Sequence, residues 1–387
     1  MSPQRRWLLL LSTAELLTML TFANYTGALP VLRREWGLSA TQAGAIFAAQ
    51  QFGYTAAVLV LSSLTDLLGV RKIYLLSSLW NGLCGLLFAF FARGWWSAFL
   101  LRALGGIGLA GTYTPGMRLV VESVPAPRRG AAMGIYIACF SLGASLSLLL
   151  TGLLLPSGWQ VAFVATACGP LLAAGIAWRI VRDPPERQRH TIALGTAIRN
   201  LRTLRLSAAY AMHNWELFGM RAWLPAFLTA MWVARGVPLV AATVRGAAFG
   251  ALVLTASAFS NAVGGWLSDH LGRRRTILVF LSGSALCSWT IGWLTPMGLG
   301  VVLGMSVIYG LLVTAESSTL STAVAEAALP EALGATMALQ SALGFLASTI
   351  APPVFGAILD ASSPGWGWAF ASLGVAALVG VVVVLRS

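Results

Sequence analysis

Seven ionisable side chains, Glu15, Arg102, Arg118, His213, Glu216, Arg221 and Glu316, lie inside long apolar runs. A charge held there costs at least ~2.5 kcal/mol on membrane-insertion scales, so each is expected to be paired, protonated or reserved for a ligand. Glu216 sits about ten residues, or roughly 15 Å of helix, from the start of its run, a depth that suits a carboxylate taking up and releasing a proton. His213 precedes it by one helical turn, on nearly the same face, and can share that proton. Arg102 and Arg221 lie nearer one end of their runs, where a guanidinium can meet an entering anion. Glu15, Glu316 and Arg118 lie toward the other end; Glu15 and Glu316 are further proton carriers, and a neutralising ion pair is the competing reading for all three. Asn24, Tyr25, Tyr113, Trp215 and Asn261 add polar tips and aromatic walls suited to a small ligand.

Composition fixes what surrounds these groups. Of 387 residues, 58% are hydrophobic and 10% charged, against about 25% charged in an ordinary soluble chain. Such a chain must be solvated by lipid, which excludes a secreted disulfide scaffold, a disordered tail and a soluble nucleotide-binding enzyme. The net charge of +13 falls in short basic clusters between apolar runs, a topology signal that predicts no nucleic-acid partner. Cys84, Cys139, Cys168 and Cys287 stand singly, without metal or redox spacing, so no metal or cofactor is expected. No phosphate-cradling loop and no nucleophile or zinc signature occurs, which argues against ATP drive and against a membrane enzyme. No loop is long enough to be the signalling domain of a receptor.

The elements that position the seven groups follow from bilayer thickness. A hydrocarbon core of about 30 Å takes roughly 20 helical residues. Cutting the chain at charge and Pro or Gly punctuation gives spans at 7–32, 41–64, 73–92, 97–122, 131–155, 160–181, 206–232, 245–267, 275–294, 299–324, 333–359 and 366–386. The first run is too long for a cleaved leader and reads as a retained span. All seven ionisable residues fall on spans 1, 4, 7 and 10. Placing Arg5, Arg6, Arg71, Lys72, Arg128, Arg129, Arg179 and Arg273 to Arg275 inside leaves few basic residues on the other side, so both termini are predicted to be cytoplasmic. Residues 182–205 read as a basic linker on the inner membrane surface, between bundles at 1–181 and 206–387.

The two bundles repeat one another. Asp66 and Gly69 recur as Asp269 and Gly272, 203 positions on; Glu122 recurs as Glu326, 204 on; Trp159 and Phe163 recur as Trp366 and Phe370, 207 on. An internal duplication of six spans explains three such matches, and repeats of this kind characterise transporters with a midplane site. Asp66 and Asp269 can cap backbone N–H groups and pair with the basic residues just after them. Glu122 is expected to pair with Arg71 or Arg129, and Glu326 with Arg273.

These loops resemble the Gly-x-Leu-x-Asp-x-x-Gly-Arg-Arg/Lys motif of the major facilitator superfamily. The second copy, Gly265 to Arg275, fits well; the first has Ser62 for the leading Gly and Val70 for one basic residue. Arg102, Gly106 and Gly108 are similar to the family's helix-4 pattern. The resemblance covers the whole chain and implies an all-α membrane protein of twelve helices in two six-helix bundles related by pseudo-two-fold symmetry, with helices 1, 4, 7 and 10 around a central cavity. It also implies gating roles for Asp66, Gly69, Arg71, Glu122, Asp269, Gly272, Arg273 and Glu326. Helix 5 lacks the Gly-x-x-x-Gly-Pro of drug exporters, and helix 2 has Gln50 and Gln51 where nitrate porters use arginine. Tyr113 to Arg118 and His213 to Trp223 look broadly similar to the cyanate and nitrate-type branch. The expectation is a monomeric secondary transporter of the bacterial inner membrane, moving a small anionic solute with protons by alternating access and touching membrane lipid. An exporter of amphipathic compounds is the alternative within transport.

Overall fold

Inside a bilayer no water satisfies backbone N–H and C=O groups, so an apolar chain must close its hydrogen bonds along its own helices. The computed structural model describes residues 3–182, 194–362 and 365–386. Their helices are α1 (Pro3–Thr18), α2 (Asn24–Glu35), α3 (Ala40–Leu68), α4 (Val70–Phe91), α5 (Trp95–Ser123), α6 (Ala126–Leu154), α7 (Trp159–Ile180), α8 (Leu194–Arg199), α9 (Leu201–Val233), α10 (Leu239–Leu271), α11 (Arg273–Ile291), α12 (Leu299–Ala327), α13 (Leu333–Ala361) and α14 (Trp366–Leu385). α1 and α2 together make the first span, α8 is a short helix ahead of the seventh, and each remaining helix follows one expected span. Among the described residues, eight spans are long and apolar enough to cross a membrane by length and composition alone. α5 and α9, which carry most of the ionisable candidates, are not among those eight.

Two expectations are corrected here. The first span is not continuous: after Thr18 it tightens into a 3₁₀ turn at Met19–Thr21, and Ala23 leaves helical geometry (φ −107°, ψ 4°) before α2 begins. The seventh helix starts at Leu201 rather than 206, because the Asn200 side chain accepts from the N–H groups of Arg202 and Thr203 and caps the helix there. Residues 183–193 of the predicted linker lie outside the described residues.

The chain gathers into two units. The first holds Met1–Leu38, Ala49–Arg189 and Arg235–Ala251; the second holds Ser39–Ala48, His190–Ala234 and Leu252–Ser387. Each closes its own core, around Leu11, Tyr74, Val120, Tyr136 and Ala177 in the first and Leu206, Ile277, Leu281, Val324 and Val384 in the second. The sequence repeat reappears in this packing. Phe163 stacks on Phe88 at 4.5 Å with Trp159 at 5.8 Å, and its repeat partner Phe370 meets Phe227 and Phe355 at 5.1 and 5.0 Å. Trp178, Phe259 and Leu286 remain about two-thirds exposed, apolar surface that suits lipid contact.

Two backbone features set the helix positions. Gly69 and Gly272 adopt almost the same conformation (φ 89°, ψ 146° and φ 84°, ψ 148°), which only glycine takes without strain. Within the units, α3 crosses α5 and α10 crosses α12 at backbone contact. A Cβ on Gly53 would stand 1.9 Å from the Ala103 carbonyl oxygen, and one on Gly264 1.9 Å from that of Ala315. Small residues permit this approach, and in the first unit it carries Gln50 to Arg102.

Candidate functional site

In the first unit Arg102 spans the break between α1 and α2. Its Nη1 donates to Thr21 O at 3.1 Å and Asn24 Oδ1 at 3.0 Å; its Nη2 donates to Phe22 O at 3.3 Å and to Gln50 Oε1. The Thr21 carbonyl would meet the Tyr25 N–H in a continuous helix, but that N–H donates to Asn24 Oδ1 at 2.7 Å. The guanidinium thus takes over acceptors that the break sets free. Asn24 Nδ2 donates onward to Thr166 Oγ1 at 3.1 Å, and the Tyr25 ring lies 5.5 Å from Arg102 Cζ. Arg102, Asn24 and Tyr25 are therefore brought together, in a network whose hydrogen bonds are largely closed on the protein itself. A cavity of about 20 Å³ beside them, room for about one water, is lined in part by Asn81 and Phe88. Glu15 is elsewhere in this unit, fully buried, with Oε2 accepting from Tyr136 OH at 2.7 Å and Oε1 without a hydrogen-bond partner. Tyr113 stacks over Tyr136 at 6.2 Å.

In the second unit the histidine and the nearby glutamate part company. His213 does not share a proton with Glu216: its Nδ1 lies 2.8 Å from Glu316 Oε1 on α12, both side chains wholly buried. Glu216 points to α11, where Ser284 and Ser288 donate to its two oxygens at 2.9 Å each. The residues are three apart, but their χ angles send them to different neighbours. His213 Nε2 and Glu316 Oε2 have no hydrogen-bond partner. A buried imidazole and carboxylate this close hold one proton between them, and each keeps a second polar atom open.

Arg221 stands apart from these acids. Its Cζ lies 5.6 Å from the Phe218 ring, and among the described residues it makes no hydrogen bond or ion pair. Asn261 keeps a buried, unpartnered Oδ1 while its carbonyl accepts from Ser318 at 3.2 Å. Trp215 is half-buried.

The helix-end acids form two clasps by different routes. In the second unit Arg273 joins Asp269 at 2.5 Å and Glu326 at 3.1 Å, as the sequence suggests. In the first, Arg118 does this work, joining Asp66 at 2.5 Å and Glu122 at 2.7 Å. That corrects the expected partners of Glu122 and makes Arg118 a helix-end group; Arg71 donates to the Trp178 carbonyl at 2.9 Å. The position matching Arg273 is Val70, and the one matching Arg118 is Thr322, so the bridging cation has moved from one helix to another. Asp360, which the sequence did not single out, accepts from Ala40 N at 2.7 Å and Thr41 N at 2.8 Å and caps α3. Ser284, Ser288 and Tyr136 were likewise not singled out, and Gln50 only as a departure from nitrate porters; the Ser284–Ser288 spacing of one helical turn was the available signal.

The family model of the Major Facilitator Superfamily matches residues 11–352 and 246–387, and the chain belongs to that superfamily. It is a multi-pass membrane transporter of small-molecule substrates, not an enzyme. "Probable 4-methylmuconolactone transporter" of Cupriavidus pinatubonensis is 29% identical over 308 residues, covering 72% of this chain and 68% of that one. "Probable sulfoacetate transporter SauU" of Cupriavidus necator is 26% identical and covers 68% and 64%; "Gallate transporter" of Pseudomonas putida is 23% identical and covers 72% and 68%. The matches thus span about two-thirds of the relatives' length. A crystal structure of a bacterial homolog to the human lysosomal transporter Spinster, inward-facing and occupied, shares the fold with a TM-score of 0.78 at 19% identity, covering 100% of this chain and 96% of that one. The likeness to cyanate and nitrate carriers is not carried by these relatives.

Proposed function

We propose that the protein moves a small organic anion across the bacterial inner membrane by alternating access, coupled to a proton. The observation that carries this reading is Arg221, a guanidinium within the second unit that no acid among the described residues neutralises. A cation held within a membrane-spanning helix without a countercharge is costly, and a carboxylate or sulfonate brought by the substrate would meet it with two parallel hydrogen bonds. The relatives' names, for sulfoacetate, gallate and a methylmuconolactone, fall in the same class of small organic solute. Trp215 and Asn261, in the same unit as Arg221, would add substrate contacts, while in the first unit Arg102 and Asn24 fix the break in the first span.

The His213–Glu316 pair is the coupling site this reading favours, because each partner keeps one open atom. Glu15 is the corresponding candidate in the first unit, and Glu216 is the one already held on both oxygens. The clasp of Arg118 with Asp66 and Glu122 beside Gly69, and that of Arg273 with Asp269 and Glu326 beside Gly272, would gate the cytoplasmic side of a monomer with both termini inside. Counterflow of labelled gallate and sulfoacetate in proteoliposomes, with and without an imposed pH gradient, tests the whole reading. Saturable exchange that the gradient converts to accumulation is expected. Failure to exchange either anion, together with tight binding of a lipophilic cation that Arg221→Gln leaves unchanged, would favour an exporter of amphipathic compounds.

A further inference from the structure

A groove of about 1030 Å³ opens at one end of the first unit, between the start of α1 and the ends of α5 and α7. Its size is at the top of the range of small-ligand pockets, roughly 300–1,000 Å³. Arg6, Arg179 and Arg182 stand around it, and among the described residues no acidic side chain does. None of the three makes a hydrogen bond or ion pair with a described residue. The groove's other wall is apolar, with Trp7, Leu10, Leu119 and Ile180. The Trp7 indole N–H donates to the Ile180 carbonyl at 3.2 Å, which ties α1 to α7 beside the groove.

The second unit treats the same place differently. There Arg205 donates to the Arg386 carbonyl at 2.5 Å and Arg274 to that of Leu385 at 2.6 Å, so both guanidiniums are engaged by the end of α14. In the first unit Arg71 takes on the matching task, at Trp178. Three cations are left facing one apolar-walled groove that the repeat does not require.

We propose that this groove binds the headgroup of an anionic phospholipid. The phosphate would lie among Arg6, Arg179 and Arg182, and the start of the acyl chains along Trp7, Leu10 and Ile180. A free phosphate would satisfy the guanidiniums but leave the apolar wall uncovered; a zwitterionic lipid would bring its own cation to a site that already holds three. Exposed apolar surface on the same helix, at Trp178 and Leu172, continues the path into the bilayer. The leaflet concerned is the cytoplasmic one only if the orientation proposed above holds, but the chemistry of binding does not depend on transport.

Native mass spectrometry of the full chain in detergent, titrated with phosphatidylglycerol or phosphatidylcholine, tests this. Phosphatidylglycerol should bind the parent more tightly, and the combined Arg6→Gln, Arg179→Gln and Arg182→Gln variant should lose on the order of tenfold or more in affinity, from the attraction of each lost cation. A control replacing Arg128, Arg199 and Arg202 by Gln removes the same charge elsewhere and should bind like the parent. Equal loss in the control would reduce the effect to net charge and overturn the proposal. So would displacement of the lipid by millimolar inorganic phosphate, or unchanged binding in the groove variant.

Discussion

On the proposed reading Arg221 has a function to lose, and among the described residues it has no hydrogen-bond or ion-pair partner to lose with it. Arg221→Gln should raise the Kd for the transported anion by tenfold or more, and Arg221→Lys should restore part of it, since charge survives without the planar fork. Isothermal titration in detergent would measure both. Arg102 should behave otherwise: with four oxygen acceptors at the break, Arg102→Lys is expected to lower the melting temperature as much as Arg102→Gln. The acids separate in the same way. Glu316→Gln, which mimics a permanently protonated partner for His213, should keep exchange and abolish pH-driven accumulation, whereas Glu216→Gln should keep both. Accumulation lost only in the Glu216 variant would move coupling to the Ser284–Ser288 cradle. The sequence revealed which ionisable residues lie on the helices, though Arg118 proved a part-exposed helix-end group; it could not reveal that His213 turns to α12 and Glu216 to α11, because a three-residue spacing leaves side-chain direction to the neighbouring helices.

Helix ends and crossings carry a second group of expectations. Ala at Gly69 or Gly272 must adopt a positive φ and should cost about 1–2 kcal/mol each, seen as a lower melting temperature in detergent. Gly134→Ala, whose new Cβ meets nothing within 4 Å, should be neutral or slightly stabilising, by at most ~1 kcal/mol. The displaced bridge gives a sharper case. Arg118→Thr should slow transport by opening the Asp66–Glu122 clasp, and Val70→Arg, which restores the arrangement of the second unit, should recover part of the rate in liposome uptake. No recovery would mean that Arg118 acts through Thr65, to which it also donates at 2.8 Å. Length and hydropathy placed the spans because the bilayer imposes one thickness on all of them. They missed the break after Thr18, where no proline or glycine marks the turn and the partner of the freed Thr21 carbonyl is Arg102, 81 residues beyond it.

The duplicated architecture was legible because both copies kept the residues that build turns and crossings, Asp66 with Gly69 and Asp269 with Gly272, while the functional groups between them diverged. Arg221, for one, has no basic counterpart at residues 14–18, the stretch 203 to 207 positions before it. Sequence symmetry therefore predicts scaffold and says little about ligand. The unpaired state of Arg221 has a further consequence, electrical in kind. A fixed positive charge within the membrane field couples conformation to voltage, at about 2.3 kcal/mol per elementary charge moved across 100 mV. The empty carrier should thus respond to membrane potential, and the carrier with its anion seated should respond less, because the pair moves as a neutral dipole. Transient currents on solid-supported membranes would show this as charge displacement that shrinks with saturating substrate and disappears in Arg221→Gln.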